Sequence, residues 1–302
     1  MNKRLLLTII ISIMILSGCR VVSDATPTAE IALILPSDTP EPTTTEEIIL
    51  PTETPTQIPP TPTAQPTQVI VSVPEAIDIQ YPFPGAVITS PLTVTGLADA
   101  TFEQNLIVQL TGESSEIAQV PTTIQADTGS RGGFSAKVEY AVPDDNPVML
   151  QVFWRSPKDG SLMHLNGFML QPGAQSAPQK PVEEKVEKLF LSEVRIGLNN
   201  GKLELQADGS AEGLFENNLQ YALCGNGSGH GGDDFVCGSG DNIMLTGSTI
   251  VNAPDMGKRG DFSIRHMLPN GQWQSAILVI YSTSAANGLV DHATSMIVKN
   301  GP

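Results

Sequence analysis

The sequence predicts an all-β protein, with two antiparallel β-sandwich domains in tandem after a disordered N-terminal stalk. Three observations carry this. Apolar and polar residues alternate with a period of two after residue 73, between Pro, Gly and Asp/Asn turns. An eleven-residue block in the first alternating region recurs in the second. Before both, from Asp24 to Gln68, lies a segment with 12 Thr and 10 Pro in 45 residues.

The chain starts with an export signal over residues 1–18. Lys3 and Arg4 precede an apolar run from Leu5 to Leu16, interrupted only by Thr8 and Ser12. The run is shorter than the roughly 18 apolar residues that span a bilayer. Leu16-Ser17-Gly18-Cys19 resembles the lipobox of bacterial lipoproteins. The resemblance implies cleavage before Cys19 and a diacylglyceryl group on its sulfur. Two or three acyl chains anchor a protein firmly where one is marginal. The expected location is extracytoplasmic, at the cell surface, held to the membrane by N-terminal lipid.

Residues 19–73 form the expected stalk. The Asp24–Gln68 segment holds seven acids and no base. It lacks the apolar surface needed to offset the entropy of ordering, so a disordered, polyproline-biased chain is expected. At about 3.1 Å per residue it would reach at most on the order of 140 Å. The whole sequence carries 16 Lys+Arg against 32 Asp+Glu, a net charge of −16. That balance argues against nucleic acid or anionic lipid headgroups as partners.

The first sandwich is expected over residues 74–172. Phe134, Ala136, Val138, Tyr140 and Val142 alternate with Ser135, Lys137 and Glu139. Leu106, Val108 and Leu110 form a second such run, and Leu150, Val152 and Trp154 a third. Further strands read at 77–81, 92–95, 117–120 and 163–171, seven in all, the number of a sandwich. A linker follows over 173–188, with one or two helical turns expected over 182–188. The second sandwich covers 189–302, with strands at 194–198, 202–207, 219–224, 242–245, 261–267, 276–282 and 293–299.

Gly96 to Leu106 aligns without gaps to Gly209 to Leu219, with six identities in eleven positions. Further on, Gly133-Phe134-Ser135 corresponds to Asp261-Phe262-Ser263, and Asp159-Gly160 to Asn287-Gly288. The offset between matching residues grows between the blocks, which places about 15 extra residues in the second domain. These include the Cys224–Cys237 segment. A duplicated unit is the expected origin.

Ser90-Pro-Leu-Thr-Val-Thr-Gly96, Phe102-Glu103, Gly133-Phe-Ser-Ala136 and Lys158-Asp-Gly160 resemble the immunoglobulin-like domain of bacterial spore germination. The resemblance covers about residues 75–172 well. Over 189–300 it is partial, resting on Gly209 to Leu219 and Phe262. It implies an extracytoplasmic immunoglobulin-like sandwich, a role in envelope or spore-coat biology, and no catalysis. Within the shared block, Gly96 and Gly209 are expected at strand ends, permitting a turn or bulge. Phe102 and Phe215 are expected to plug one end of each core. Glu103 and Glu216 would be exposed acids or acceptors of backbone N–H groups.

Cys224 and Cys237 are the two cysteines left if Cys19 carries lipid, and export favours joining them in a disulfide. The 14-residue loop, Cys224 to Cys237, would gain roughly 3 kcal/mol from the bridge. The expected effect stays within the second domain. The rivals are a transition metal on the cysteines and His230, and calcium on Asp233, Asp234 and Asp241. Neither has the ligand spacing of a known site.

No nucleophile elbow or Ser-x-x-Lys motif occurs. His164, His230, His266 and His292 are scattered, with an edge or half-buried imidazole expected for His266 and His292. Asp144-Asp145 and Asp233-Asp234 sit in turn contexts as solvated pairs. Trp154 and Trp273 are of the type that stacks on sugars, but Trp154 falls on the core-facing phase of its strand. No enzyme, cofactor or metal is expected. The leading expectation is a lipid-anchored surface protein presenting two domains for envelope contact, adhesion or assembly. Its partners would be the membrane, through lipid, and cell-wall polymer or envelope proteins. The alternative is a module binding cell-wall glycan or another ligand.

Overall fold

The computed structural model describes residues 73–113, 115–141, 146–173, 185–225, 235–239, 242–268 and 274–299. The signal segment, Cys19 and the stalk lie outside them, as do Asp144, Asp145, His230, Asp233, Asp234, Asp241 and Trp273.

The fold is all-β, in antiparallel sandwiches. The first half comprises β1 (Ile77–Tyr81), β2 (Val87–Ile88), β3 (Leu92–Ala98), β4 (Asn105–Thr111), β5 (Glu116–Thr123), β6 (Gly132–Val138), β7 (Val148–Arg155) and β8 (Leu162–Pro172). The second comprises β9 (Leu189–Asn199), β10 (Lys202–Ala211), β11 (Asn218–Cys224), β12 (Ile243–Ile250), β13 (Gly260–Met267), β14 (Ser275–Thr283) and β15 (Val290–Lys299). All fourteen expected strands are present, with shifted ends, and β2 is additional. β6 stops at Val138, short of the expected Val142, which lies outside the described residues. The helical turn expected before β9 is corrected where the chain is described. Val186 forms an antiparallel bridge with Pro74, so this end of the linker is extended.

Alternation does not reveal how the halves join. β8 pairs with β15, setting Asn166 opposite His292, Leu165 opposite Ala293 and His164 opposite Thr294. One sheet therefore runs β12-β11-β14-β15-β8-β7-β4-β5 through both halves, and β2 adds to β8 in parallel. Two three-stranded sheets, β1-β3-β6 and β13-β10-β9, each cover one half of it.

Three cores result. Ile79, Val94, Val108, Phe134, Leu150 and Val152 lie in the first sandwich. Leu205, Leu219, Leu223, Phe262, Leu278 and Ile280 lie in the second. Strand residues of the opposite phase, such as Phe153, Ala222, Val279 and Ala293, build a third cluster on the other face of the long sheet. Cys237, bonded to Cys224 with Cα atoms 5.3 Å apart, belongs to that cluster, as do Phe235 and Val236.

The recurring block has the same geometry in both halves. Gly96 lies inside β3 and Gly209 inside β10, which corrects their expected placement at strand ends. Each faces an aromatic ring across the ladder, Gly96 opposite Phe134 and Gly209 opposite Phe262. A methyl at 96 would collide with the Asp78 carbonyl and meet the Phe134 ring at 2.7 Å. At 209 it would collide with the Phe190 carbonyl and meet the Phe262 ring at 2.6 Å. The ring packs over the bare backbone, which only glycine allows. The expected bulges are present, between Ile79 and Tyr81 opposite Gly96 and between Asp208 and Gly209.

Phe102 and Phe215 do not plug the cores. They are 55% and 59% exposed, and each opens a one-turn 3₁₀ segment, Phe102–Gln104 and Phe215–Asn217. Glu103 and Glu216 after them hold left-handed φ values of 53° and 52° and are exposed. In the first half the next residue turns inward instead. The Gln104 amide donates to the carbonyls of Asp127 at 3.0 Å and Ser130 at 3.2 Å, tying the turn to the β5–β6 loop.

The disulfide loop leaves its own domain, contrary to expectation. The Leu162 N–H donates to the Val236 carbonyl at 2.8 Å, and an Arg155 guanidinium N–H donates to the Phe235 carbonyl at 2.8 Å. Phe235 meets Phe153 edge to face with centroids 5.4 Å apart. Replacing Cys224 and Cys237 by Ser should cost about 3 kcal/mol in denaturant unfolding. It should also lower hydrogen-exchange protection at Leu162, in the first half. Unchanged protection there would refute the loop's coupling to both halves.

Candidate functional site

The junction of the halves concentrates buried polar groups. Around the Pro74–Val186 bridge, the Glu75 N–H donates to the Lys185 carbonyl at 2.7 Å and the Glu187 N–H to the Val73 carbonyl at 2.8 Å. In this short antiparallel ladder Glu75 and Glu187 are diagonal neighbours on one face. Below them β8 presents His164. The three are 1%, 7% and 6% exposed. The His164 Nε2 lies 3.5 Å from Glu75 Oε1 and 3.7 Å from Glu187 Oε2.

Backbone groups orient both acids. The Ala76 N–H donates to Glu187 Oε2 at 2.9 Å, and the Lys188 N–H to Glu75 Oε2 at 3.3 Å. Burial pushes the His164 pKa down, but the Glu187 and Glu75 carboxylates outweigh it and leave the ring above its ordinary value. The two acids move apart. Burial raises Glu75, yet His164 brings it below the usual carboxylate range, while burial, helped by the charge of Glu75, leaves Glu187 above it.

Around the triad lie further buried ions and hydrogen bonds. Asp78 is 1% exposed, with Lys185 and Gln80 among the neighbours that favour its charged form against burial. Lys185 Nζ stands 3.8 Å from it and donates to the Ile79 carbonyl at 3.1 Å. The Asn166 amide donates to the Ile77 carbonyl at 2.7 Å. Asp291 accepts from the Ser282 hydroxyl at 2.6 Å and sits 3.4 Å from His292 Nδ1. A polar cavity of about 280 Å³ opens among Glu75, Asn166, Lys185, Lys188, Asp291 and His292. Glu75, His164 and Glu187 are the residues, among those described, whose ligand atoms converge closely enough to hold a metal ion.

A second, apolar cleft also crosses the junction. Its volume is about 310 Å³, and Phe102, Trp154, Pro157, Met163, Ile277 and Ile297 line it. Trp154 is half-buried, touching the first core while forming part of this wall. The Lys158 ammonium at the rim donates to the Ser275 hydroxyl at 3.0 Å.

Among the expected site residues, the structure joins Cys224 to Cys237 and gives Gly96, Phe102 and Glu103 the same geometry as Gly209, Phe215 and Glu216. His266 is half-buried, its Nδ1 2.8 Å from the Tyr221 hydroxyl. The histidines are less scattered than the sequence implies, since His164 and His292 reach the same junction. Sequence reasoning missed Glu75 and Glu187 as partners of His164. The three lie on a segment before β1, on β8 and in the linker, and no spacing signals their meeting.

Residues 76–161 match the family model described as the immunoglobulin-like domain of bacterial spore germination. No curated protein matches the chain. Among solved structures, bovine butyrophilin aligns at 9% identity, over 75% of this chain and 99% of its own, with a TM-score of 0.23. A DUF3823 family protein from Bacteroides ovatus aligns at 13% identity over 75% and 99%, with a TM-score of 0.27. Red sea bream transglutaminase aligns at 12% over 74% and 31%, with a TM-score of 0.24. At such scores these likenesses carry no argument.

Burial raises the Asp78 pKa above 3.8, with Lys185 opposing it. A carboxyl raised on folding binds more protons in the native state, so its stabilising contribution is complete below the unfolded value. It is lost as pH climbs through the folded one. Asp78→Asn should therefore flatten the fall in stability as pH rises above about 3.8, measured by urea unfolding across pH. An unchanged pH slope would count against burial as the cause of the raised pKa.

Proposed function

We propose that this is a non-catalytic, lipid-anchored cell-surface protein that presents two immunoglobulin-like sandwiches as one head for envelope contact, adhesion or assembly. The observation that carries this reading is the continuous sheet that joins the described strands of both halves. The lipobox-like Leu16 to Cys19 and the composition of residues 19–73 support surface display. The family match over residues 76–161 supports an extracytoplasmic module and fits a germination- or sporulation-related setting. The matching Gly–Phe pairs and left-handed Glu103 and Glu216 support an origin by duplication. Cells fed radioactive fatty acid should label the wild-type protein and not Cys19→Ala. Label retained by the variant would sink the anchor.

The apolar cleft favours a second reading, a module for cell-wall glycan or another ligand. Trp154 on its wall offers an aromatic face to a sugar ring. Phe102→Ala removes an exposed side chain of the cleft without opening a core. If the cleft binds glycan, retention on purified peptidoglycan or soluble polysaccharide should fall several-fold in this variant. No retention of the wild type on either would remove the glycan reading.

A further inference from the structure

We propose that Glu75, His164 and Glu187 bind one divalent transition-metal ion, zinc being the best match, which fastens the segment before β9 to the first sandwich. The distances favour an ion over direct hydrogen bonds. An N–H···O bond needs about 2.7–3.2 Å, and His164 Nε2 stands 3.5 and 3.7 Å from its two carboxylate neighbours. Ligand bonds of about 2.0–2.2 Å in a tetrahedral site put neighbouring donor atoms roughly 3.3–3.6 Å apart. The two histidine–carboxylate separations are within a few tenths of that spacing, and all three ligand atoms lie within 4.8 Å of one another.

Glu187 Oε2 accepts the Ala76 N–H, and the other two ligand atoms make no such bond. His164 Nε2 and Glu75 Oε1 are buried without a hydrogen-bond partner. A buried polar atom left unsatisfied is destabilising, and two buried carboxylates are more so unless a cation meets them. A protonated His164 offsets one of the two charges, and a dication offsets both. The set of one imidazole and two carboxylates suits zinc and similar borderline ions and gives a fully hard cation little reason to recruit the histidine.

The surroundings are those of a prepared site. The Ala76 and Lys188 amides fix the carboxylates, as outer-shell hydrogen bonds do around metal ligands. The polar cavity is lined by Glu75 and offers a route from solvent to that ligand. The ligands come from before β1, from β8 and from just before β9, so an ion would hold together three segments distant in sequence.

The probe is Zn²⁺ alone, titrated into the full chain against a chromophoric chelator, with bound metal counted after dialysis. One ion per chain is expected, with a rise in Tm. His164→Ala and Glu187→Gln should each weaken binding by roughly 100-fold or more, since even outer-shell partners account for 10–100-fold. Far-UV circular dichroism verifies that the variants fold. Should neither fold, Co²⁺ on the wild type decides. Visible bands of a four-coordinate nitrogen/oxygen site support the proposal, and a six-coordinate or thiolate spectrum overturns it. Absence of stoichiometric zinc from the wild type, or undiminished binding by both folded variants, overturns it as well.

Discussion

The pairing of β8 with β15 is the contact on which the rest depends. Only three residue pairs make it, yet it turns two sheets into one. A sandwich on its own has an edge and a solvated outer face. Here the edges of β8 and β15 satisfy each other. The outer face of the central strands is buried in turn, because Phe235, Val236 and Cys237 pack against Phe153, Leu165, Val279 and Ala293. β7 is accordingly buried from Val148 through Phe153 without alternation. The polar residues on these strands must then bond internally. Gln151 accepts from the Thr111 hydroxyl at 3.2 Å and donates to the Val290 carbonyl at 2.7 Å, so one side chain ties β4, β7 and β15 together. Truncating such a residue would leave buried partners unsatisfied, which costs more than the bond itself contributes.

Strands were legible because each sandwich core imposes a period of two on its inward face. The runs Leu106-Val108-Leu110 and Phe134-Ala136-Val138 show that period and form β4 and β6 as expected. Cys224 and Cys237 were legible through export and even number. Phe102 and Phe215 were misread because an apolar residue beside a strand start looks like core. The chain instead makes a 3₁₀ turn there, and inward packing passes to Gln104 and Leu106 in one half and to Leu214 and Leu219 in the other. Gly96 and Gly209 were misplaced for a related reason. Glycine reads as an ending, whereas these two sit mid-strand because an aromatic ring occupies the space of their missing side chains.

The junction was illegible for a different reason. Local patterns report which face of a strand is buried, and they carry no signal for which strand of another domain lies beside it. Glu75 and Glu187 looked like ordinary acids near domain boundaries, and His164 like one imidazole among four. Their meeting depends on the Pro74–Val186 bridge, itself fixed only once the linker runs back past the start of β1. Acids in a linker are usually solvated, so nothing in composition separates these two from Glu183 and Glu184 nearby.

This division bears on where activity can reside. The outer sheet β1-β3-β6 and its counterpart β13-β10-β9 are explained by packing alone: alternation, bulge and a ring over a glycine. What packing does not explain lies along the line where the halves meet, in buried acids, a histidine held between two of them and two cavities of about 280 and 310 Å³. Burying such groups costs free energy that an apolar seam would not. A seam serving only to join two sandwiches would be more stable filled with Leu and Val. The polar composition of the junction is therefore a cost that joining the halves does not by itself explain.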